Sequence, residues 1–214
     1  MIQVVIIDYG SGNLRSAAKA FERAGNGKAS ITVTNDPKAL ETASHIVLPG
    51  VGAFADCMRG LTAVEGMREA LEEQVMKKRK PFLGVCVGMQ MLFDSGHEYG
   101  VHKGLGWIKG EVVKIESAGK SLKIPHMGWN DLHIKKPNHP LLAGIKTGDH
   151  AYFVHSYHAV CDSSCVLATT DYGTSLTAVV TKDNIMGTQF HPEKSQKTGL
   201  RLIGSFLNLS QTPS

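Results

Sequence analysis

The spacing of apolar residues changes along the chain, and the changes mark out its elements. Ile2 to Ile7 is an unbroken apolar run rich in β-branched residues, the pattern of a strand covered on both faces. After Gly12 the period lengthens: Leu14, Ala17, Ala18 and Phe21 share one helical face, and Gly25 is expected to stop the helix. Ile31 to Val33 reads as a second strand, and Ile46-Val47-Leu48 as a third, closed by Pro49-Gly50. Val64, Met67, Leu71 and Val75 mark another helix, and Phe82-Leu83-Gly84-Val85 the strand after it. Strand and helix in alternation predict a mostly parallel central sheet with helices on both faces.

The second half has a shorter rhythm. Val112-Val113-Lys114-Ile115, Tyr152-Phe153-Val154, Val166-Leu167-Ala168 and Ala178-Val179-Val180 are short strands separated by turns. Ile185 to Phe190 adds one more, with Asp183-Asn184 as a hairpin turn before it. These predict an antiparallel extension of the sheet in the C-terminal half. A final helix is expected from about Ser195 to Leu207, with Leu200, Leu202, Ile203 and Phe206 on its apolar side. No repeat and no Pro/Gly/Ser-rich linker interrupts the 214 residues, so one domain over 1–214 is expected, an α/β fold around a single core.

Composition narrows the class. A net charge of +4 is mild, and the one basic run, Lys77-Lys78-Arg79-Lys80, ends a helix-like segment where cations suit the helix dipole. Nucleic acid is therefore not an expected partner. The apolar start is too short, and broken too early by Asp8, for a signal peptide or a spanning helix, so no membrane is expected. Four cysteines in a chain this long make no secreted disulfide framework, and the chain reads as cytoplasmic with reduced thiols. Cys161 and Cys165 have loose metal-ligand spacing, but no second pair follows, so no metal or other cofactor is expected.

The candidate chemistry starts at Gly84-Val85-Cys86-Val87-Gly88, which follows a buried strand and opens a helix. This is the pattern of a nucleophile elbow with Cys in place of Ser. The turn is so tight that residues two before and two after the nucleophile must lack a Cβ. A helix N-terminus favours a thiolate and offers N–H donors to an oxyanion. The alternative is a buried structural Cys between two packing glycines.

A thiol needs a base. Of ten histidines, His45, His97, His102, His133 and His139 occupy turn-like or polar contexts and are expected to be solvated. His191 closes the last apolar strand, and Glu193 follows it two residues on. In an extended segment the two side chains point the same way, so the carboxylate can fix the imidazole tautomer. A strand-end His beside a solvated Glu is the alternative. Gly50-Val51-Gly52 follows the third strand, where two glycines let backbone N–H groups approach a ligand; an ordinary turn would use the same residues. All three pieces fall at carboxyl ends of strands, where open α/β sheets form their sites.

The elbow continued by Met89-Gln90, together with Phe190-His191-Pro192-Glu193, resembles the class I (triad) glutamine amidotransferases. Within them the chain resembles the glutaminase subunits of imidazole glycerol phosphate synthase, on four further motifs. These are Asp8-Tyr9-Gly10-Ser11-Gly12-Asn13-Leu14, Pro49-Gly50-Val51-Gly52-Ala53-Phe54, Pro125-His126-Met127-Gly128-Trp129-Asn130, and Tyr152-Phe153-Val154-His155-Ser156-Tyr157.

The resemblance implies the class I amidotransferase fold and a glutaminase with Cys86 as nucleophile, His191 as base and Glu193 as its orienting group. It implies an oxyanion hole from Gly50, Val51, Gly52 and the amide of Val87, with Gln90, His155, Ser156 and Tyr157 holding glutamine. It implies delivery of ammonia to a (β/α)8-barrel cyclase subunit of histidine biosynthesis, with Met127, Trp129 and Tyr152 as candidates for the interface or channel mouth. In this family the oxyanion loop is typically not set until the partner holds its ligand. A paralogue feeding a different synthase is the alternative. Val87, where the family usually has Leu or Ala, and Ala151, before Tyr152, are the departures.

Overall fold

The computed structural model describes residues 1–116 and 122–210. The first half runs β1 (Ile2–Ile7), α1 (Leu14–Gly25), β2 (Ala29–Thr34), α2 (Ala39–Thr42) and β3 (His45–Gly50). It continues through α3 (Phe54–Ala63), α4 (Met67–Leu71), a π-helical turn (Glu72–Lys77), β4 (Phe82–Cys86) and α5 (Val87–Gln90). Every residue of β3 and β4 is buried, as their unbroken apolar sequences require. The helix α3 was not evident from the sequence, because its ten residues bury only Phe54, Cys57 and Leu61 and carry Asp56, Arg59 and Gly60 between them. Val64 lies outside the helix it was expected to begin; that segment is α4 followed by the π turn.

The second half contains β5 (Ser95–Gly96), β6 (His102–Lys103), β7 (Gly110–Lys114), β8 (His126–Asp131) and β9 (His133–Ile134). Then come β10 (His150–His155), β11 (Tyr157–Cys161), β12 (Val166–Tyr172), β13 (Thr174–Lys182), β14 (Ile185–Thr188) and α6 (Gln196–Leu207). The main sheet has the order β2-β1-β3-β4-β14-β13-β12-β9. Its first five strands are parallel, and β13, β12 and β9 add to it antiparallel.

Three expectations need correction here. Strand β14 pairs parallel with β4, so it belongs to the centre of the sheet and not to the antiparallel extension. Strands β7 and β10 leave the main sheet altogether: β7 joins β5, β6 and β11, and among the described residues β10 pairs only with β8. Short alternating strands fix which face is buried but not which neighbour they pair with. Lastly, His45 is buried, with its ring nitrogens 3.0 Å from Ser44 Oγ and 3.0 Å from the Leu209 carbonyl. Burial lowers its pKa, so the ring is held neutral against the edge of Phe206.

Local stop signals also shift slightly. Gly25 stays in α1, and Asn26 takes the left-handed conformation that ends it. In the basic run, Lys77 pairs with Glu73 at the end of the π turn, but the buried Lys80 donates to the carbonyls of Leu40 and Glu41 at the end of α2. The core is continuous across both faces of the sheet, from Phe21 and Phe206 on one side to Phe54, Phe93 and Trp107. Among the described residues, no helix is long and apolar enough to cross a membrane.

Candidate active site

Strands β3, β4 and β14 are parallel neighbours, so their carboxyl ends rise side by side. Cys86 is the last residue of β4, at φ 55° and ψ −112°, and α5 starts at the next residue. That backbone is strained for a residue with a Cβ, and the neighbouring glycines make it possible. A Cβ on Gly84 would lie 2.5 Å from the Gly88 carbonyl oxygen, and one on Gly88 would overlap the Leu48 carbonyl. The helix after the elbow is shorter than its apolar sequence suggests, ending at Gln90 before the chain turns toward β5.

His191 follows β14, anchored by its N–H to the Tyr152 carbonyl at 3.0 Å. Its Nδ1 is 2.8 Å from Glu193 Oε1, and both side chains are only 4% exposed. The contact arises differently from the extended geometry expected, because Pro192–Lys194 is a 3-10 turn that folds the carboxylate back under the ring. The other ring nitrogen, Nε2, is buried beside Cys86 and has no hydrogen-bond partner among the described residues. It is close enough for the sulfur to bias its protonation. Burial alone would lower the His191 pKa, but Cys86 and then Glu193 outweigh it and raise the value to about 10. The arrangement therefore favours an imidazolium facing the sulfur.

A cavity of about 280 Å³ opens over this pair. Its walls include Val51, Gly52, Cys86, Val87, Gln90, His155, Ser156, Tyr157 and His191. The structure thus brings the triad candidates and most of the substrate-binding candidates to one place; Gly50 ends β3, one residue before Val51, and does not line the cavity. Gln90 Nε2 donates to the Tyr157 carbonyl and to Gln189 Oε1, both at 3.0 Å. Gln189 Nε2 in turn lies 3.8 Å from Cys86 Sγ.

Two residues of the site were missed in the sequence. Glu98 also lines the cavity, and its carboxylate accepts the N–H of Phe54 at 2.8 Å, at the N-terminus of α3. A carboxylate there suits a substrate's ammonium group. Ser11 acts on the oxyanion loop: Val51 N–H donates to Ser11 Oγ at 3.0 Å, and that hydroxyl donates to the Val51 carbonyl at 2.6 Å. The Val51 N–H therefore does not serve the cavity in this conformation. No periodicity marks either residue, since both act from loops.

Met127 and Trp129, 62% and 47% exposed, lie on the outer face of the β8–β10 ribbon and not in the core. Trp129 meets Tyr152 edge-on at 5.9 Å, and Tyr152 is the residue that holds the His191 backbone. An exposed apolar face thus sits directly behind the base. Among the described residues, no group of three or more His, Cys, Asp or Glu side chains is arranged to hold a metal ion.

The chain as a whole is similar to known proteins. Residues 5–207 match the family model described as glutamine amidotransferase class-I. The imidazole glycerol phosphate synthase subunit HisH of Rhodospirillum rubrum is 57% identical over 210 residues, covering 96% of this chain and 98% of that one. The same subunit of Agrobacterium fabrum is 57% identical over 213 residues, with the same coverage. Among solved structures, PurLQS from Thermotoga maritima aligns over 97% of this chain and 98% of that one, with a TM-score of 0.71 at 22% identity. A structure described as glutamine amidotransferase aligns over 96% and 99%, with a TM-score of 0.72 at 18% identity. A family match over nearly the whole chain, on a fold that carries an elbow cysteine beside a paired histidine, places this protein in the class I glutamine amidotransferase family.

Proposed function

We propose that the chain is the glutaminase subunit of imidazole glycerol phosphate synthase, hydrolysing glutamine to glutamate and ammonia for histidine biosynthesis. The observation that carries the assignment of roles is Cys86 on its strained turn beside the unpartnered Nε2 of His191, whose Nδ1 is tied to buried Glu193. Near-complete, reciprocal coverage of the HisH relatives supports the histidine pathway over a paralogous synthase.

In this reading Cys86 Sγ attacks the side-chain amide carbon of glutamine to form a γ-glutamyl thioester. His191 accepts the thiol proton and returns it to the departing ammonia, then activates the water that releases glutamate. Glu193 holds the ring and balances its charge. Gln90, His155, Ser156 and Tyr157 hold the substrate, with Glu98 toward its α-ammonium group. The oxyanion falls to the amide of Val87 and to the Gly50-Val51-Gly52 loop. Because Val51 N–H is held by Ser11, the isolated chain is a poor glutaminase, and a rearrangement of that loop completes the site.

Free ammonia at neutral pH is largely protonated and not nucleophilic, so it must pass to a partner out of water. The partner is a (β/α)8-barrel cyclase subunit, seated on the face of Met127, Trp129 and Tyr152. The test is glutamate release by the chain alone and with the cyclase and its nucleotide ligand, using Cys86→Ala as blank. Release that rises steeply with the liganded partner and vanishes in the variant is the expected result. Strong release with no response to the partner would remove the synthase assignment, and no release in either state would remove the catalytic one.

A further inference from the structure

The inner face of the β8–β10 ribbon carries two buried histidines where packing alone would call for apolar side chains. His126 and His155 lie there, opposite each other in register, with Phe153 between them and the core. The ring of His126 is stacked between Phe153 at 4.8 Å and Tyr172 at 4.1 Å. Stacking does not require nitrogen, yet each nitrogen of both histidines that faces the interior has a partner. His126 Nδ1 is 2.9 Å from His155 Nε2, and His126 Nε2 is 3.1 Å from Asn130 Nδ2. His155 Nδ1 is 2.8 Å from the Tyr157 carbonyl.

The proton positions follow from the ends of this line. A carbonyl only accepts, so His155 Nδ1 donates to Tyr157, and in a neutral ring Nε2 must accept. His126 Nδ1 then donates to His155, and His126 Nε2 accepts from Asn130. The second N–H of Asn130 goes to the Asp171 carbonyl on β12 at 2.9 Å, and its oxygen accepts the Asp131 N–H. Every group is matched in one direction only. Burial, which pushes His126 down to about 4 and His155 to about 3, agrees with two neutral rings. The line ends at the cavity, because the Tyr157 carbonyl it reaches also accepts Gln90 Nε2.

We propose that Asn130, His126 and His155 are positioning residues for glutamine: their one-way hydrogen-bond chain fixes the Tyr157 carbonyl, and through it the pose of Gln90. This rests on the glutaminase reading of the site. A buried polar chain is satisfied in a single arrangement, whereas apolar side chains of the same shape pack without fixing a carbonyl. The chain also joins the ribbon that carries Met127 and Trp129 to the substrate pocket, so seating of a partner on that ribbon bears on how glutamine is held.

The experiment compares variants of His126 in the assembled synthase, with ammonium-driven turnover as the control for the partner's integrity. His126→Phe keeps the stack and cuts the chain; glutamine KM should rise about tenfold with kcat little changed. In His126→Asn the amide nitrogen occupies the place of Nδ1 and restores the donor to His155, so KM should return most of the way. His126→Gln supplies an acceptor at the place of Nε2 and should not rescue. Asn130→Ala, at the half-exposed end, gives the same reading if the buried variants do not fold. A wild-type KM in His126→Phe and Asn130→Ala, or equal rescue by Asn and Gln, would overturn the proposal. Nitrogen-15 NMR of the histidine-labelled wild type should show both rings as neutral Nδ1–H tautomers, and an Nε2–H tautomer in either would overturn the direction. A wild-type synthase that releases no glutamate would instead overturn the glutaminase reading, and this proposal with it.

Discussion

Replacing Glu193 by Gln removes one charge from the site and leaves its shape nearly intact. Glu193 and His191 are both 4% exposed and 2.8 Å apart, so their interaction is shielded from solvent. Breaking a buried, hydrogen-bonded ion pair by neutralising one partner costs about 3–5 kcal/mol. If the imidazolium is needed in the transition state, this becomes a loss of about 10²·² to 10³·⁷ in kcat/KM for glutamine. The amide can still present an oxygen to His191 Nδ1, so the smaller loss applies if it settles that way. His191 is raised to about 10 partly by Glu193, so its pKa must fall in the variant and the alkaline limb of the pH–rate profile must move to lower pH. The assay is glutamate release by the assembled synthase across pH, with ammonium-driven turnover as the control for folding and assembly. A Glu193→Gln enzyme that keeps more than about a tenth of wild-type kcat/KM, with an unmoved alkaline limb, would refute the orienting and charge-balancing role.

Three further outcomes follow from the geometry. Gly88→Ala forces a Cβ onto the Leu48 carbonyl, backbone against backbone, and should destabilise by at least about 3 kcal/mol, seen as a melting point lower by about 6 °C or more. Ser11→Ala releases the Val51 N–H, and glutamate release by the chain without its partner should rise about five- to tenfold; a fall would show that Ser11 supports the working loop. His126 and His155 have folded pKa values below the unfolded 6.5, so their contribution to stability is whole above pH 6.5 and is lost as pH falls toward about 4. At pH 5 each accounts for about 2 kcal/mol, so urea unfolding at pH 7 and pH 5 should show wild type losing about that much more than His126→Phe.

Much of the molecule was legible in the sequence because its causes are local. Buried parallel strands need continuous apolar runs, and β1, β3 and β4 declare themselves that way. The elbow is legible because a nucleophile on a tight turn demands two residues without a Cβ, and Gly84 and Gly88 stand where a Cβ would strike backbone atoms. The sequence also puts Cys86, His191 and the Gly50-Val51-Gly52 loop at carboxyl ends of strands, although only the parallel pairing of β14 with β4 brings them to one cavity.

What the sequence left open depends on which distant groups meet. Nothing in a six-residue strand says whether it joins the main sheet, so the separation of β8 and β10 into a ribbon of their own appeared only in three dimensions. The same holds for Ser11 on Val51, 40 residues apart, and for the line from Asn130 through His126 and His155 to Tyr157. Periodicity reports which side chains are buried, because burial repeats with the element. Hydrogen-bond partners between loops and ribbon faces carry no such repeat, and only the packed chain decides them.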